Sequence, residues 1–129
     1  MSHDLPLHLP ADRACRNFTR SSLPGLRRDM NEIIGPAVAA AFDVPAAELR
    51  APSRRSARVA LARQCAMYLA HATLGWSHAA VAAACGRDRR TVAHACGVIE
   101  ERREQPAFDA IVSLLETGLA AACARRQGA

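Results

Sequence analysis

The chain has 129 residues, 50% of them hydrophobic, and its 17 basic and 12 acidic side chains give a formal net charge of +5. This length supports one hydrophobic core and excludes a second domain of ordinary size. Every basic residue is arginine, and without lysine or a glycine-rich phosphate loop a nucleotide-hydrolysing site of the Walker type is excluded. The arginine surplus suits contacts with phosphate and guanine, although a GC-rich genome would also favour arginine and alanine.

The first predicted element is a disordered or loosely docked arm over residues 1–25, which carries three prolines and no helical apolar period. Residues 26–42 show apolar side chains at spacings of three and four, which predicts an amphipathic helix interrupted at Gly35-Pro36. A short helical turn over residues 45–49 and a basic connector over residues 53–58 follow.

Four further helices are predicted in the second half of the chain, over residues 59–73, 78–85, 89–103 and 106–122. Met67 and Tyr68 are expected in the core. Ser77 and Asp88 can cap the second and third of these helices, and Pro106 suits the first position of the last. No strand pattern is present, so we predict an all-α domain over residues 26–122, with residues 123–129 as a C-terminal tail.

The five cysteines are odd in number and lie mostly in segments with helical patterning, so a disulfide framework is not expected. They are Cys15, Cys65, Cys85, Cys96 and Cys123. No C-x-x-C pair occurs and the five histidines complete no zinc-like spacing, so we expect free thiols, no metal and no cofactor. Neither a secretory N-terminus nor an apolar run of membrane-spanning length is recognised, which predicts a soluble cytoplasmic protein with no membrane partner.

The most informative stretch is residues 81–92, whose spacing is typical of a helix-turn-helix. Such a motif needs a small residue where the helices touch, a glycine in the turn and an aliphatic residue that packs back. Ala82, Gly86 and Val92 meet these needs. Three arginines fall in the turn and at the start of the second helix, where a recognition helix enters the major groove: Arg87, Arg89 and Arg90. The plainer alternative is a surface turn with solvated arginines.

The sequence resembles the C-terminal DNA-binding domain of the bacterial replication initiator DnaA over roughly residues 30–122. The likeness rests on three segments in the same order: Val38 to Val44 with Glu48-Leu49, then Arg54-Arg55 leading into Ala62 to Leu69, then Gly86-Arg87-Asp88 with Thr91-Val92 and His94-Ala95. The resemblance implies a six-helix domain of the Trp-repressor and DnaA domain IV type, which binds double-stranded DNA and no nucleotide.

Carried over by residue, the resemblance makes Arg54 or Arg55 the minor-groove reader and places Arg63 near the DNA backbone. It assigns Asp88, Thr91 and His94 to base-contacting or groove-lining positions. Purely structural interpretations stay open, since Asp88 could serve as an N-cap and His94 could be an ordinary surface histidine. Likewise, Arg54, Arg55 and Arg58 could form either a phosphate-tracking loop or a solvated charge run.

The chain departs from the family in three ways. Arg89-Arg90 stand where the family usually has His-Thr, the turn has a single glycine, and the preceding ATPase module is missing from these residues. We therefore expect a nucleoid-associated regulator of replication or transcription that reads its own DNA site, with a replication or transcription protein as a further partner. The rival is a protein-interaction module that no longer binds DNA. An enzyme is not expected, because no nucleophile and base or metal set is paired.

Overall fold

A computed structural model describes residues 22–51 and 56–128, the last three as backbone only. Within these residues the chain forms six helices and no strand, as the sequence predicts. Helix α1 covers residues 23–42 as three continuous parts, Leu23–Asp29, Met30–Ile34 and Gly35–Phe42. The others are α2 (Ala46–Leu49), α3 (Ala57–Ala72), α4 (His78–Cys85), α5 (Arg89–Arg102) and α6 (Pro106–Gly128).

Helix α1 begins three residues before the predicted domain boundary at residue 26. Ser22 caps it by accepting a hydrogen bond from the Gly25 amide at 3.4 Å, and Pro24 lies in the first turn, where its missing N–H costs nothing. Leu26 is 5% exposed, so this first turn already belongs to the core. The rest of the predicted arm, residues 1–21, lies outside the described residues.

The interruption predicted at Gly35-Pro36 takes the form of a π-helical segment over Met30–Ile34, after which α-helix resumes. A proline removes one helical hydrogen bond and crowds the preceding turn, and a wider turn relieves both effects. A Cβ atom at Gly35 would lie 2.9 Å from the Met30 carbonyl oxygen. Glycine is therefore required here by a close approach of the backbone.

The core is built around α3, which packs against α1, α4 and α5. Met67 and Tyr68 are 5% and 7% exposed, which confirms their predicted place in the core. Trp76, two residues before α4, is fully buried in the same core cluster. Burial on several sides explains why α3 is apolar around most of its circumference.

Helix α6 begins at Pro106 as predicted and packs on α1 and α3, with the Phe42 and Phe108 rings 6.0 Å apart. It continues to Gly128, beyond the predicted end at residue 122, and Cys123 in the predicted tail is 1% exposed. The expectation that no apolar run reaches membrane-spanning length was also wrong. By length and composition alone, Pro106–Arg125 is long and apolar enough to cross a membrane, with a mean hydropathy of 1.5. Of its most apolar 18-residue stretch, 17% is buried within the protein.

Candidate nucleic-acid interface

Helices α4 and α5 form the predicted helix-turn-helix. Gly86 adopts the left-handed conformation, with φ 67° and ψ 37°, and the Arg87 amide donates to the Ala82 carbonyl at 2.9 Å. This pattern ends α4 by satisfying a terminal carbonyl, and a residue without Cβ takes the left-handed backbone with least strain. Ala82 is 5% exposed and Val92 is fully buried, so both pack where the motif requires.

The turn places three arginines at the start of α5. Arg87 lies in the turn and is half-buried, whereas Arg89 and Arg90 are the first two residues of α5 and are exposed. The first amides of a helix lack intrahelical partners and carry partial positive charge. Backbone and side chains therefore make this end of α5 attractive to phosphate and to the acceptor-rich edge of guanine.

Asp88 is the N-cap of α5. Its Oδ1 accepts the Thr91 amide hydrogen bond at 2.8 Å, and this bond, with a second from the Thr91 side chain, lowers the pKa of the Asp88 carboxyl. Ser77 caps α4 in the same manner, accepting from the Ala80 amide at 3.0 Å. Both predicted caps are confirmed, and Asp88 fixes the direction in which α5 leaves the turn.

A narrow face of α5 continues from its basic end. The residues three, four and seven positions after Arg90 lie on the same side of the helix as Arg90. They are Ala93, His94 and Gly97, and all four residues are exposed. A Cβ atom at Gly97 would meet no atom of this chain within 4 Å. Sequence reasoning missed Ala93 and Gly97, whose small size leaves room for an external surface to approach α5. Their signal was the alternation of bulky polar and small residues along this face.

The charges of α5 are divided between its ends. Arg89 and Arg90 stand at its start, whereas the exposed acids Glu100, Glu101 and Glu104 cluster at its far end and in the following turn. These acids outnumber the exposed Arg102 beside them, and Arg103 is already paired with Asp109 and Glu116. A polyanion is attracted to the first end and repelled by the second. The helix therefore has an electrostatic direction that suits entry by its N-terminus.

A groove of about 300 Å³ lies beside the turn, between α1, α2, α3 and α4. Its lining brings together four arginines: Arg27, Arg50, Arg63 and Arg87. Arg27 and Arg50 are exposed and were not singled out from the sequence. They lie 60 and 37 residues before Arg87, so only the tertiary fold extends the basic surface of the turn towards α1 and the end of α2.

Arg63 has a structural task in that groove. Its guanidinium donates to the carbonyl oxygens of Glu48 at 2.8 Å, Ala51 at 2.9 Å and Leu49 at 3.3 Å. They lie at and just beyond the end of α2, where helix carbonyls run out of intrahelical donors, although the Glu48 carbonyl also accepts from the Ala51 amide at 3.3 Å. Arg63 thereby holds the backbone that leads into the basic connector, and its contact with the DNA backbone stays a prediction.

The connector itself is described only at its end. Ser56 caps α3 by accepting from the Val59 amide at 3.2 Å, and Arg58 is exposed in the first turn of that helix. Arg54 and Arg55, the predicted minor-groove readers, lie outside the described residues. Their role stays a prediction.

The described cysteines form no disulfide. Burial raises the pKa of Cys65 to about 12 and those of Cys85 and Cys96 to about 11. Such thiols are protonated at neutral pH and poorly nucleophilic, which fits a packing role.

A helix-turn-helix with a basic, capped and exposed second helix defines a class of protein that presents one helix to a duplex groove. Comparison with known proteins narrows the class. Residues 31–99 match the family described as bacterial dnaA protein helix-turn-helix. The chain is also 39% identical over 85 residues to the chromosomal replication initiator protein DnaA 2 of Chlamydia trachomatis serovar D, and equally to that of Chlamydia muridarum.

The chain belongs to the bacterial DnaA helix-turn-helix family, whose domain indicates DNA binding. The match covers 66% of this chain but only 18% of each chlamydial initiator. The resemblance inferred from the three sequence segments and the all-α fold are both confirmed.

Proposed function

We propose that this chain is a sequence-specific double-stranded DNA-binding protein that regulates replication initiation or transcription by occupying a short duplex site. The observation that carries the proposal is the exposed basic start of α5, with Arg89 and Arg90 beyond the Asp88 cap. The protein would act in the cytoplasm on the nucleoid, without catalysis and without a nucleotide, and a replication or transcription protein is its expected further partner.

Base reading is assigned to Arg89 and Arg90. Each can address O6 and N7 of a guanine with a bidentate guanidinium, worth about 1–3 kcal/mol against a wrong base. Because they stand where the family usually has His-Thr, the preferred site should differ from the family's own DNA box. Asp88, Thr91 and His94 complete the groove-facing set.

Affinity is assigned mainly to phosphate contacts, which carry no sequence information. We assign such contacts to Arg87, in the turn, and to Arg58, which is exposed in the first turn of α3. Arg54 and Arg55 on the connector would follow the minor groove, where an arginine senses groove width. Arg63 would support that path through its hold on Ala51.

The direct test is a selection of bound oligonucleotides from a random duplex pool, followed by affinity measurements on the selected site and on a scrambled duplex. Arg90→Ala should cost about 1–3 kcal/mol on the selected site and little on the scrambled one. Arg102→Ala is the matched control, because Arg102 is an exposed arginine at the opposite end of the same helix. It should leave both affinities nearly unchanged.

The connector gives a second comparison. Arg54→Ala combined with Arg55→Ala should weaken binding to both duplexes and lower the salt slope by about one per lost phosphate contact. Equal weakening of both duplexes by Arg90→Ala would make Arg90 a phosphate clamp and remove its assigned specificity. A pool with no enriched sequence and no retained DNA would favour the protein-interaction module instead.

A further inference from the structure

Helix α6 carries an exposed apolar face that the functional assignment does not use. Leu114 is 75% exposed and Ile111 is 37% exposed, and with Leu23 they are the exposed large hydrophobic residues among those the structure describes. Two of the three thus lie one turn apart on the same helix. Concentrated exposure of this kind marks an interaction surface more often than single exposed leucines do.

The exposed residues follow the spacing of a helix-pairing seam. Five exposed residues of α6 recur at intervals of four, three, four and three, which is the heptad repeat of paired helices. We call this set the α6 seam: Ala107, Ile111, Leu114, Gly118 and Ala121. The seam is about 21 Å long at 1.5 Å per residue. Its outer positions are small, so a second helix can approach closely.

No charge interrupts the seam. Asp109 and Glu116 are the only charged residues between positions 106 and 124, and both form ion pairs with Arg103, away from the seam. Arg103 also donates to the Tyr68 hydroxyl at 3.1 Å, which ties that side of α6 to α3. The charged side of the helix is therefore turned to this chain's own core, and the uncharged side is turned outward.

We propose that a second copy of this chain packs antiparallel on the α6 seam about a two-fold axis. In the register that matches large with small residues, Leu114 faces Gly118 of the partner subunit and Ile111 faces Ala121 of the partner subunit. Two-fold symmetry repeats each of these contacts. If the two helices were shifted by one heptad, Ile111 would face Leu114 of the partner subunit and Gly118 would face Ala107 of the partner subunit. The first layer would then be overfilled and the second would contain a void.

Charge at the two ends of α6 favours the same occupant and direction. The start of α6 adjoins the exposed acids Glu101 and Glu104, which outnumber the exposed Arg102 between them, whereas its far end carries the exposed Arg125. An antiparallel copy brings each basic end towards the acidic end of its neighbour, and a parallel copy would set like charges together. A second copy is thus complementary to the seam in both size and charge.

The seam also leaves the DNA-facing end of α5 free. Helix α5 has 14 residues and so is about 20 Å long, with Arg89 and Arg90 at the end opposite the turn into α6. A dimer on α6 would present two helix-turn-helix units. The inference does not depend on DNA binding, because its test contains no DNA.

The test is the molar mass of the full chain in solution, by sedimentation equilibrium over a range of concentrations. We expect a monomer–dimer equilibrium, because one helix pair is a small interface in the range below about 1,200 Å². Leu114→Glu should abolish the dimer. Leu23→Glu makes the same change at an exposed leucine outside the seam and should leave the dimer intact.

The register is tested by a size exchange. A Cβ at Gly118 meets nothing of its own chain within 4 Å, so Gly118→Leu should fold normally yet block the dimer. Adding Leu114→Ala should restore it, since the large and small partners are then exchanged. A wild-type chain that stays monomeric up to its solubility limit would overturn the proposal, as would binding of the monomer through Leu114 to lipid vesicles. A double variant that stays monomeric would overturn the register.

Discussion

At the residue scale, Arg63 shows how a side chain that lines a candidate binding surface also holds that surface together. Its three bonds to the carbonyls at the end of α2 span 12 to 15 residues of sequence. The family resemblance assigns Arg63 only to the neighbourhood of the DNA backbone. Only the fold reveals that its donors are already engaged by the chain.

Arg63→Met should therefore lower the free energy of unfolding by about 1.5–3 kcal/mol, the range for a hydrogen bond to a charged group. Urea denaturation followed by circular dichroism measures it. Arg58→Met, at an exposed position on the same helix, is the control and should change stability by less than about 0.5 kcal/mol. Equal effects of the two substitutions would show that the carbonyl contacts contribute nothing.

At the element scale, two glycines within helices should respond in opposite directions to alanine. Gly97→Ala should raise the free energy of unfolding by about 0.5–1 kcal/mol, because alanine is the better helix former and its Cβ meets open space. Gly35→Ala should lower it by about 1–3 kcal/mol, because the added carbon meets the Met30 carbonyl at 2.9 Å. Thermal and urea unfolding of the two variants, each compared with the wild type, decides both signs.

A histidine pair between the end of α3 and the start of α4 predicts a pH dependence of stability. The His71 and His78 rings lie 4.2 Å apart, and His71 Nδ1 is 2.7 Å from the Trp76 carbonyl oxygen. Burial, His71 and Arg89 lower the pKa of His78 from 6.5. The unfolded chain therefore binds this proton more readily, and the folded state loses stability as the pH falls below about 6.5.

His78→Gln removes the titrating group, so its free energy of unfolding should fall less than that of the wild type between pH 7.5 and pH 5. The measurement is urea unfolding at a series of pH values. An identical decline in both proteins would mean that other groups cause it.

The elements that were predictable from the sequence are those with local start signals. Ser77, Asp88 and Pro106 each mark a helix start within one turn, and all three helices begin where these residues predict. Local signals were harder to use at residues 22–25, where Ser22 and Pro24 also fit a helix start but were assigned to the arm. The domain end was set at residue 122, six residues before α6 ends, although no glycine or proline between Gly118 and Gly128 stops the helix.

The candidate site likewise contains residues that were predictable from the local sequence and residues that were not. The arginines of the turn and of α5 were predictable, because their order along one helix sets their place. Arg27 and Arg50 were not, because they meet Arg87 only through the packing of α1 and α2 around a common groove. Long-range packing, which no spacing rule contains, therefore decides how far the basic surface extends.

At the scale of the whole molecule, a net charge of +5 is unevenly distributed. The start of α5 is basic, acidic side chains outnumber basic ones around its far end, and the exposed face of α6 is uncharged. These surfaces suit three different tasks: attraction of a polyanion, orientation on it and contact with another copy. The first task is the central claim.

The most direct test of that claim is the affinity of the full chain for duplex DNA at a series of salt concentrations. Release of counterions by four to six phosphate contacts predicts a slope of log K against log salt of about −3.6 to −5.4. Fluorescence anisotropy of a labelled duplex measures it. A slope near zero, or no binding at low salt, would contradict the assignment of this surface to DNA.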